Sequence, residues 1–212
     1  MKDMSRRFRS IAVLAACAVL ALTGCTAAKD SGGVADVSQV ANSSAYRGVE
    51  LQPAWQRPSF TLTDQTGQPY DFNEQTKGIP TVLYFGYTHC PDVCPLIMGQ
   101  LSAAIKDAPK DIRSKLQVVL VSTDPATDTP EVLAAYLSKF DVEVPVKYVG
   151  LTGDLAAVEA AQESTGVPVA EDGGKTHSTM AIYYGTSNEA HVAWLANTSA
   201  EDIGHDLPIG VK

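Results

Sequence analysis

Two cysteines four positions apart carry the most reactive chemistry in this sequence. Cys90 and Cys94 lie in residues 86–95, which read Gly-Tyr-Thr-His-Cys-Pro-Asp-Val-Cys-Pro. Thiolates bind soft metal ions and also exchange with disulfides, so metal capture and redox exchange are both open at this point. In an oxidising compartment the pair would tend to form a disulfide unless a metal or a reductant keeps it open.

The flanking sequence predicts a strand that turns into a helix at this pair. Residues 81–85 are a short apolar run rich in β-branched and aromatic side chains, which is typical of a buried central strand. Apolar residues then recur at helical spacing up to Pro109. A helix that begins at Cys90 would place both sulfurs on one side, one turn apart. Its N-terminal dipole would favour thiolates and the carboxylate of Asp92.

A third metal ligand would have to arrive from another loop. Copper(I) prefers soft thiolates and accepts imidazole beside them. Among the four histidines, His177 ends a Gly-rich loop directly before a predicted strand at 178–184, where the sheet could bring it to the cysteines. An ordinary histidine at a strand edge is the alternative. His89 is expected to pack or to support the site from outside, and His191 and His205 show no partner pattern.

Other candidate residues have structural explanations of equal or greater weight. Asp124 precedes a proline just after a predicted strand at 116–122, so it is either a turn former or an outer partner of the site. Asp128 or Thr129 is expected to cap the next helix. Met98 falls on the apolar stripe and is predicted to lie in the core rather than to bind metal.

The N-terminus predicts export and a lipid anchor. Four basic residues precede an apolar segment at 11–22, and Leu-Thr-Gly-Cys ends at Cys25. Residues 1–24 are predicted to be a signal peptide, and Cys25 resembles the lipidated residue of bacterial lipoproteins. The apolar segment is shorter than the roughly 20 residues that span a bilayer. An uncleaved anchor and ordinary signal-peptidase cleavage are the alternatives to a domain anchored at the extracytoplasmic face of the cell membrane.

Composition predicts one acidic domain on a flexible tether. Removing residues 1–24 takes away four of the 16 basic and one of the 24 acidic residues, which leaves a formal net charge of −11. This charge argues against binding nucleic acid and permits attraction to a cation or a basic partner. Residues 25–50 show no sustained period and are predicted to be a tether, so the folded domain is expected at 51–212.

The order of predicted elements indicates an α/β fold. Residues 58–72 are predicted to form an N-terminal β-hairpin, and strands and helices then alternate through the middle of the chain. A second hairpin is expected at 178–195, followed by a closing helix at 199–205. We therefore expect a mixed central sheet flanked by helices on both faces.

Three blocks together resemble one protein family. Residues 86–95, the run from Asp124 to Pro130 and His177-Ser178 resemble the Sco/SenC family of copper-binding thioredoxin-like proteins over about residues 58–199. The resemblance implies a thioredoxin-like fold and a copper ion held by Cys90, Cys94 and His177. It also implies a role in maturing the binuclear copper centre of cytochrome c oxidase.

Two functional hypotheses remain from the sequence. The first is a membrane-tethered copper metallochaperone whose partners are the copper-receiving subunit of cytochrome c oxidase and other copper chaperones. The second is a thiol-disulfide oxidoreductase that keeps the oxidase cysteines reduced, with Cys90 and Cys94 as its redox-active pair. Two departures from the family pattern, Ala126-Thr127 after Asp124-Pro125 and Thr176 before His177, weaken inferred outer contacts rather than the three ligands.

Overall fold

The computed structural model describes residues 44–140 and 146–211. The strands are β1 Val49–Gln56, β2 Thr61–Asp64, β3 Pro69–Asp71, β4 Thr81–Gly86, β5 Gln117–Ser122, β6 Lys147–Thr152, β7 Ala181–Tyr184 and β8 Glu189–Trp194. The helices are α1 Phe72–Thr76, α2 Val93–Asp107, α3 Lys110–Arg113, α4 Pro130–Leu137, α5 Leu155–Thr165 and α6 Ala200–Asp206, with a 3-10 turn at Ile209–Val211. No helix in these ranges is long and apolar enough to cross a membrane.

The eight strands form one mixed sheet in the order β1-β8-β7-β4-β5-β6-β2-β3. The central strands β4, β5 and β6 are parallel, and β7 runs antiparallel to β4. Because neighbouring parallel strands end at the same edge, the segments that follow β4 and β5 emerge side by side. The start of β7 lies at that edge too, since Ala181 pairs with Tyr84 near the end of β4.

The alternation of side chains divides the core between the two faces of the sheet. In β4, Val82 and Tyr84 face the cluster that contains α2, α4 and α6, whereas Leu83 and Phe85 face the cluster that contains α1 and α5. All six β4 residues are buried. This two-sided burial explains why the strand is continuously apolar.

The predicted fold class is confirmed. The α/β architecture, the mixed sheet with helices on both faces and the N-terminal hairpin are all present, the hairpin pairing Leu62 with Tyr70. Thr129 caps α4 by accepting the N–H of Val132, and Gly166 ends α5 in the left-handed conformation. The signal peptide, the tether up to residue 43 and the proposed lipidation of Cys25 lie outside the described residues.

Several local expectations were wrong. Helix α2 begins at Val93 with Asp92 as its N-cap, not at Cys90. Cys90 precedes a proline, which disfavours helical backbone at that position, and the Asp92 side chain accepts the N–H of Val93 at 2.6 Å. Strand β7 begins at Ala181 rather than Ser178, so His177 lies four positions before it.

Strand β1 and the short helix α1 were not anticipated. Pro53 interrupts β1, and the register with β8 shifts between Glu50 and Trp55, which removes the regular alternation that marks a strand. The fold also extends slightly further toward the N-terminus than residue 51. The N–H groups of Arg47 and Gly48 both donate to the buried Asp206 carboxylate, at 2.8 and 2.9 Å.

Candidate metal centre

The cysteine segment occupies the edge where β4 and β5 end. It leaves β4 at Gly86, runs through the loop and enters α2 just before Cys94. A side chain at Gly86 could not fit, because a Cβ there would lie 2.8 Å from Cε1 of Tyr84 and 3.0 Å from the Cys94 sulfur. The glycine of the motif is therefore required by the close approach of the second cysteine to the strand.

A buried carboxylate fixes the start of this loop. Asp128, which is 0% exposed, accepts the N–H of Thr88 at 3.0 Å and the Thr88 hydroxyl at 2.6 Å. It also accepts the Ser122 hydroxyl at 2.7 Å. Thr88 follows β4 and Ser122 ends β5, so Asp128 ties the two strand ends together. The path of the chain toward Cys90 is set by this carboxylate.

The two sulfurs lie in unlike surroundings. Cys90 is partly exposed on the loop, whereas Cys94 is 1% exposed in the first turn of α2. Both are free thiols in this structure, and the predicted Cys90–Cys94 disulfide stays a prediction. The Cys90 sulfur accepts the backbone N–H of Cys94 at 3.3 Å, and the Tyr84 hydroxyl donates to the Cys94 sulfur at 3.4 Å.

These surroundings move the two thiol pKa values in opposite directions. Burial acts to raise the pKa of Cys90, but hydrogen bonds from the Cys94 backbone and from the N–H groups of Asp92 and Val93 outweigh it and lower the pKa below its usual range. Burial raises the pKa of Cys94 to about 12. The first cysteine is therefore the more readily ionised thiol, in accord with the positive end of α2 nearby.

His177 reaches the same edge from a loop before β7. Asp172, Gly173 and Gly174 take positive φ values, and Glu171 and Thr176 form an isolated bridge that closes a tight turn. This turn directs the chain back over the sheet edge. The His177 Nε2 atom then lies 3.5 Å from the Cys94 sulfur.

One hydrogen bond determines which nitrogen of His177 is available. The Nδ1 atom lies 2.9 Å from the carbonyl oxygen of Ser178. Because a carbonyl can only accept, Nδ1 carries the proton and Nε2 keeps its lone pair toward the sulfur. Tyr84 and Tyr87 contact the imidazole edge-on, with ring centroids at 6.1 and 5.6 Å. The ring is thus oriented by a carbonyl and two aromatic side chains, as histidine ligands commonly are.

The structure brings Cys90, Cys94 and His177 together. One ligand atom from each lies within 4.8 Å of the other two. Ligands at roughly 2.0–2.3 Å from a shared ion are at most about 4.6 Å apart, so a small adjustment would close the group around one metal. Two sulfurs and one imidazole nitrogen are a soft donor set that suits copper(I). Their role as ligands stays a prediction, since proximity alone does not establish binding.

The remaining sequence candidates near the cysteines have outer roles. His89 is exposed, with Nδ1 2.9 Å from the Thr88 hydroxyl and 3.8 Å from the Asp128 carboxylate. Its contacts are therefore with the residues that hold the loop, and it is not one of the three grouped donor residues. Asp92 is the N-cap of α2, with a carboxylate oxygen 4.0 Å from the Cys90 sulfur.

The other candidates are not members of the group of three donor residues. The Asp124 carbonyl accepts the N–H groups of Thr127 and Asp128, which supports its turn-forming role. Met98 is 0% exposed in the core, as predicted. His191 pairs with Glu189 and stacks on Tyr46, whereas His205 bonds to Asp206, and neither belongs to the group of three donor residues.

Sequence reasoning missed Asp128 and Tyr84 as parts of the site. Asp128 or Thr129 was expected to cap α4; Thr129 takes that role, and the Asp128 carboxylate turns inward. Thr88 lies three positions after one predicted central strand and Ser122 ends another, and their two hydroxyls were the signal that a shared acceptor was needed. Tyr84 was assigned to the strand alone, and nothing in its spacing predicts the contact with Cys94.

Sequence comparison places most of the chain in one family alignment. A family model described as SCO1/SenC matches residues 49–207. Protein SCO2, mitochondrial, from Saccharomyces cerevisiae is 41% identical over 101 residues, which cover 48% of this chain and 32% of that protein. The chain spans about half the length, or less, of the curated relatives that it first matches.

Solved structures resemble the domain as a whole. Bradyrhizobium japonicum ScoI with copper bound superposes with a TM-score of 0.60 at 31% identity, covering 72% of this chain and 98% of that one. A SCO1/SenC family lipoprotein from Bacillus anthracis gives a TM-score of 0.64 at 28% identity, covering 76% and 99%. These likenesses confirm the predicted thioredoxin-like fold.

Proposed function

The chain belongs to the SCO1/SenC family, and we propose that it is a copper chaperone that binds its cargo through Cys90, Cys94 and His177. The observation that carries this proposal is the meeting of the three donor atoms within 4.8 Å. The donors come from two segments separated by 83 positions in sequence, so their convergence is a product of the fold. The copper bound to the similar ScoI structure supports the choice of metal.

The chemistry of the site suits transient binding of a soft ion. Binding requires both sulfurs as thiolates and the His177 Nε2 atom without a proton, so copper affinity falls as pH falls. The partly exposed Cys90 gives an incoming ligand access to the ion, while Cys94 and the imidazole hold it from within the protein. Delivery then proceeds by exchange of ligands with the acceptor.

The recipient is proposed to be the copper-receiving subunit of cytochrome c oxidase during assembly of its binuclear copper centre. This proposal rests on family membership and on the motif blocks that carry it. Tethering to the extracytoplasmic face of the membrane through Cys25 is likewise proposed, supported by the N-terminal sequence and by the related Bacillus anthracis protein, which is described as a lipoprotein. A Cys25→Ser variant should be absent from the membrane fraction after cell fractionation, and its copper-binding domain should remain intact.

Copper titration of His177→Ala tests the three-ligand site. The reduced full chain is titrated with copper(I) in competition with a chelator, beside the wild type and Cys94→Ser. We expect one ion per wild-type chain, weaker retention in His177→Ala and loss of the site in Cys94→Ser. His191→Ala is the matched control, because His191 is half-exposed and pairs with Glu189 away from the donor group. Equal affinity in His177→Ala and the wild type would contradict the proposed ligand set.

A thiol-disulfide oxidoreductase is the second candidate function. The difference between the two cysteines favours this function. The partly exposed Cys90, whose pKa is lowered, can attack a disulfide, and the buried Cys94 can resolve the mixed disulfide that forms. Such a reductase has no need for His177. Turnover of a disulfide substrate by His177→Ala therefore separates the candidates, since a reductase keeps its activity whereas a copper chaperone loses its cargo.

A further inference from the structure

We propose that the Tyr84 hydroxyl makes Cys94 the sulfur that retains copper, so that Cys90 is the sulfur exchanged with an acceptor. This inference rests on the proposed function and adds an order of events to it. Tyr84 lies in β4, six positions before Cys90, and contacts two of the three donor residues, Cys94 and His177. Tyr84 is therefore a positioning residue rather than a ligand.

Tyr84 is held rigidly beside the second cysteine. It is 0% exposed and lies on the face of β4 that packs against α2. Its hydroxyl donates to the Cys94 sulfur at 3.4 Å, and its ring meets His177 edge-on. Because Gly86 has no side chain, the Tyr84 ring and the Cys94 sulfur can both approach its backbone and contact each other. The contact is thus built by the packing of the strand and not by a mobile surface group.

Cys90 is partly exposed, and its side-chain partner is Tyr87, which follows the strand, rather than a residue within the buried strand itself. The Cys90 sulfur accepts the N–H of Cys94 and lies 4.0 Å from the carboxylate of Asp92, which also faces outward. A partly exposed sulfur beside an acidic group is accessible to solvent and to an acceptor. The two sulfurs therefore differ both in access and in the donor that fixes them.

The difference predicts the sequence of ligand exchange. A thiol of the acceptor loses its proton and its sulfur binds the ion, while the bond from the ion to Cys90 breaks and the Cys90 sulfur takes up a proton. Electrons and the oxidation state of the ion are unchanged in this step. Cys94 and His177 hold the ion meanwhile, because the hydroxyl of Tyr84 fixes the lone pairs of the Cys94 sulfur and its ring orients the imidazole.

The variant Tyr84→Phe removes the hydroxyl and keeps the ring. Loss of an outer hydrogen bond to a metal ligand typically weakens metal affinity by 10–100-fold, so we expect copper(I) retention to fall roughly tenfold or more. The control is Tyr183→Phe, which removes another buried hydroxyl, one that donates to the Leu207 carbonyl at 2.8 Å. The control is expected to retain copper as the wild type does.

A spectroscopic signature separates this role from a general loss of packing. A hydrogen bond lowers the energy of the sulfur lone pairs, so its removal should move the sulfur-to-copper(II) charge-transfer band of the loaded full chain to lower energy. Placing 3-fluorotyrosine at position 84 provides a stronger donor, keeps the ring and should move the band the opposite way. It also serves as the test if Tyr84→Phe fails to fold by circular dichroism.

The exchange order is measured by alkylating the copper-loaded protein during transfer to a small dithiol. The quantity measured is the ratio of the Cys90 labelling rate to the Cys94 labelling rate. In the wild type this ratio should be higher during copper transfer than in the copper-free protein. In Tyr84→Phe the increase caused by copper should be smaller. An unchanged band, affinity and labelling order in both position-84 variants would overturn the proposal while the wild type still binds one ion. Failure of the proposed function is a distinct result, because the wild type would then bind no copper.

Discussion

The two segments that meet at the candidate site are fastened to the fold in different ways. The cysteine arm, residues 87–94, is joined to a neighbouring loop because the N–H and the hydroxyl of Thr88 both bond to the buried Asp128. It then continues into α2, whose buried face packs in the core. This arm is anchored at both ends by groups that water does not reach.

The histidine arm, residues 171–180, makes most of its hydrogen bonds within itself. Glu171 and Thr176 exchange backbone bonds at 2.8 and 3.2 Å. A longer-range bond runs from the Thr123 hydroxyl to the Gly174 carbonyl at 2.7 Å. His177 adds edge-on contacts with two tyrosines, but β7 does not begin until Ala181.

This difference indicates that the two sulfurs are preformed and that the imidazole is the most adjustable of the three candidate donors. Segments with few long-range bonds open at lower free energy than segments tied into the core. We therefore infer that the cysteine arm defines the position of the site and that the histidine arm closes on it. Three experiments test this inference.

The largest effect should follow removal of the carboxylate that holds the cysteine arm. Asp128→Ala leaves buried donors on Thr88 and Ser122 without an acceptor, so we expect the free energy of unfolding to fall by on the order of 3 kcal/mol. Copper retention should fall with it. Urea unfolding measures the change, with Asp154→Ala as control, because Asp154 is exposed and makes no capping hydrogen bond to α5. A loss for Asp128→Ala no larger than the control's, within about 0.5 kcal/mol, would contradict the anchored arm.

A smaller effect should follow distortion of the histidine arm. Gly174 has φ +90°, and a Cβ there would overlap the carbonyl oxygen of Thr123. Gly174→Ala should displace the arm and weaken copper binding, with a stability loss of about 2 kcal/mol. Gly173→Ala is the matched control, because its φ is +62° and a Cβ there meets nothing within 4 Å. If both variants bind copper equally well, the position of Gly174 does not control the arm.

The smallest effect is expected for the reactivity of the two thiols when His177 is removed. This experiment tests whether the cysteine arm sets that reactivity without the histidine arm. At pH 8 Cys90 should be ionised to a greater extent than an ordinary thiol, since its pKa is lowered, whereas Cys94, with a pKa of about 12, stays protonated. Iodoacetamide should therefore label Cys90 more than tenfold faster in the reduced metal-free protein, and the Cys94 rate should rise with pH well above 8. The same order is expected in His177→Ala, and peptide mass spectrometry measures it. A reversed order would show that the imidazole shapes the thiols.

Much of the site could be predicted because its parts are local in sequence. The apolar run before the cysteines predicts β4, and the helical spacing after them predicts α2. The resemblance of the motif blocks then supplied His177. The start of α2 was placed at Cys90, three residues too early. The proline after Cys90 disfavours helical backbone there, and Asp92 caps the helix so that it begins at Val93.

The outer contacts could not be predicted because they depend on pairing across the sheet. Asp128 meets Thr88, 40 positions away, only when β4 and β5 lie side by side. The contact of Tyr84 with Cys94 likewise needs the strand and the helix to be packed face to face. Strand β1 was hidden by an internal proline and an irregular register. Local pattern therefore defines the elements, whereas their packing defines the environment of each ligand.

X-ray absorption at the copper edge measures whether Cys90, Cys94 and His177 bind the ion. The copper-loaded full chain is compared with His177→Ala, and the fine structure counts the sulfur and nitrogen neighbours of the ion. The proposed site predicts two sulfurs and one imidazole nitrogen in the wild type, with the imidazole contribution lost in the variant. An identical nitrogen contribution in both proteins, or fewer than two sulfurs in the wild type, would contradict a site made of Cys90, Cys94 and His177.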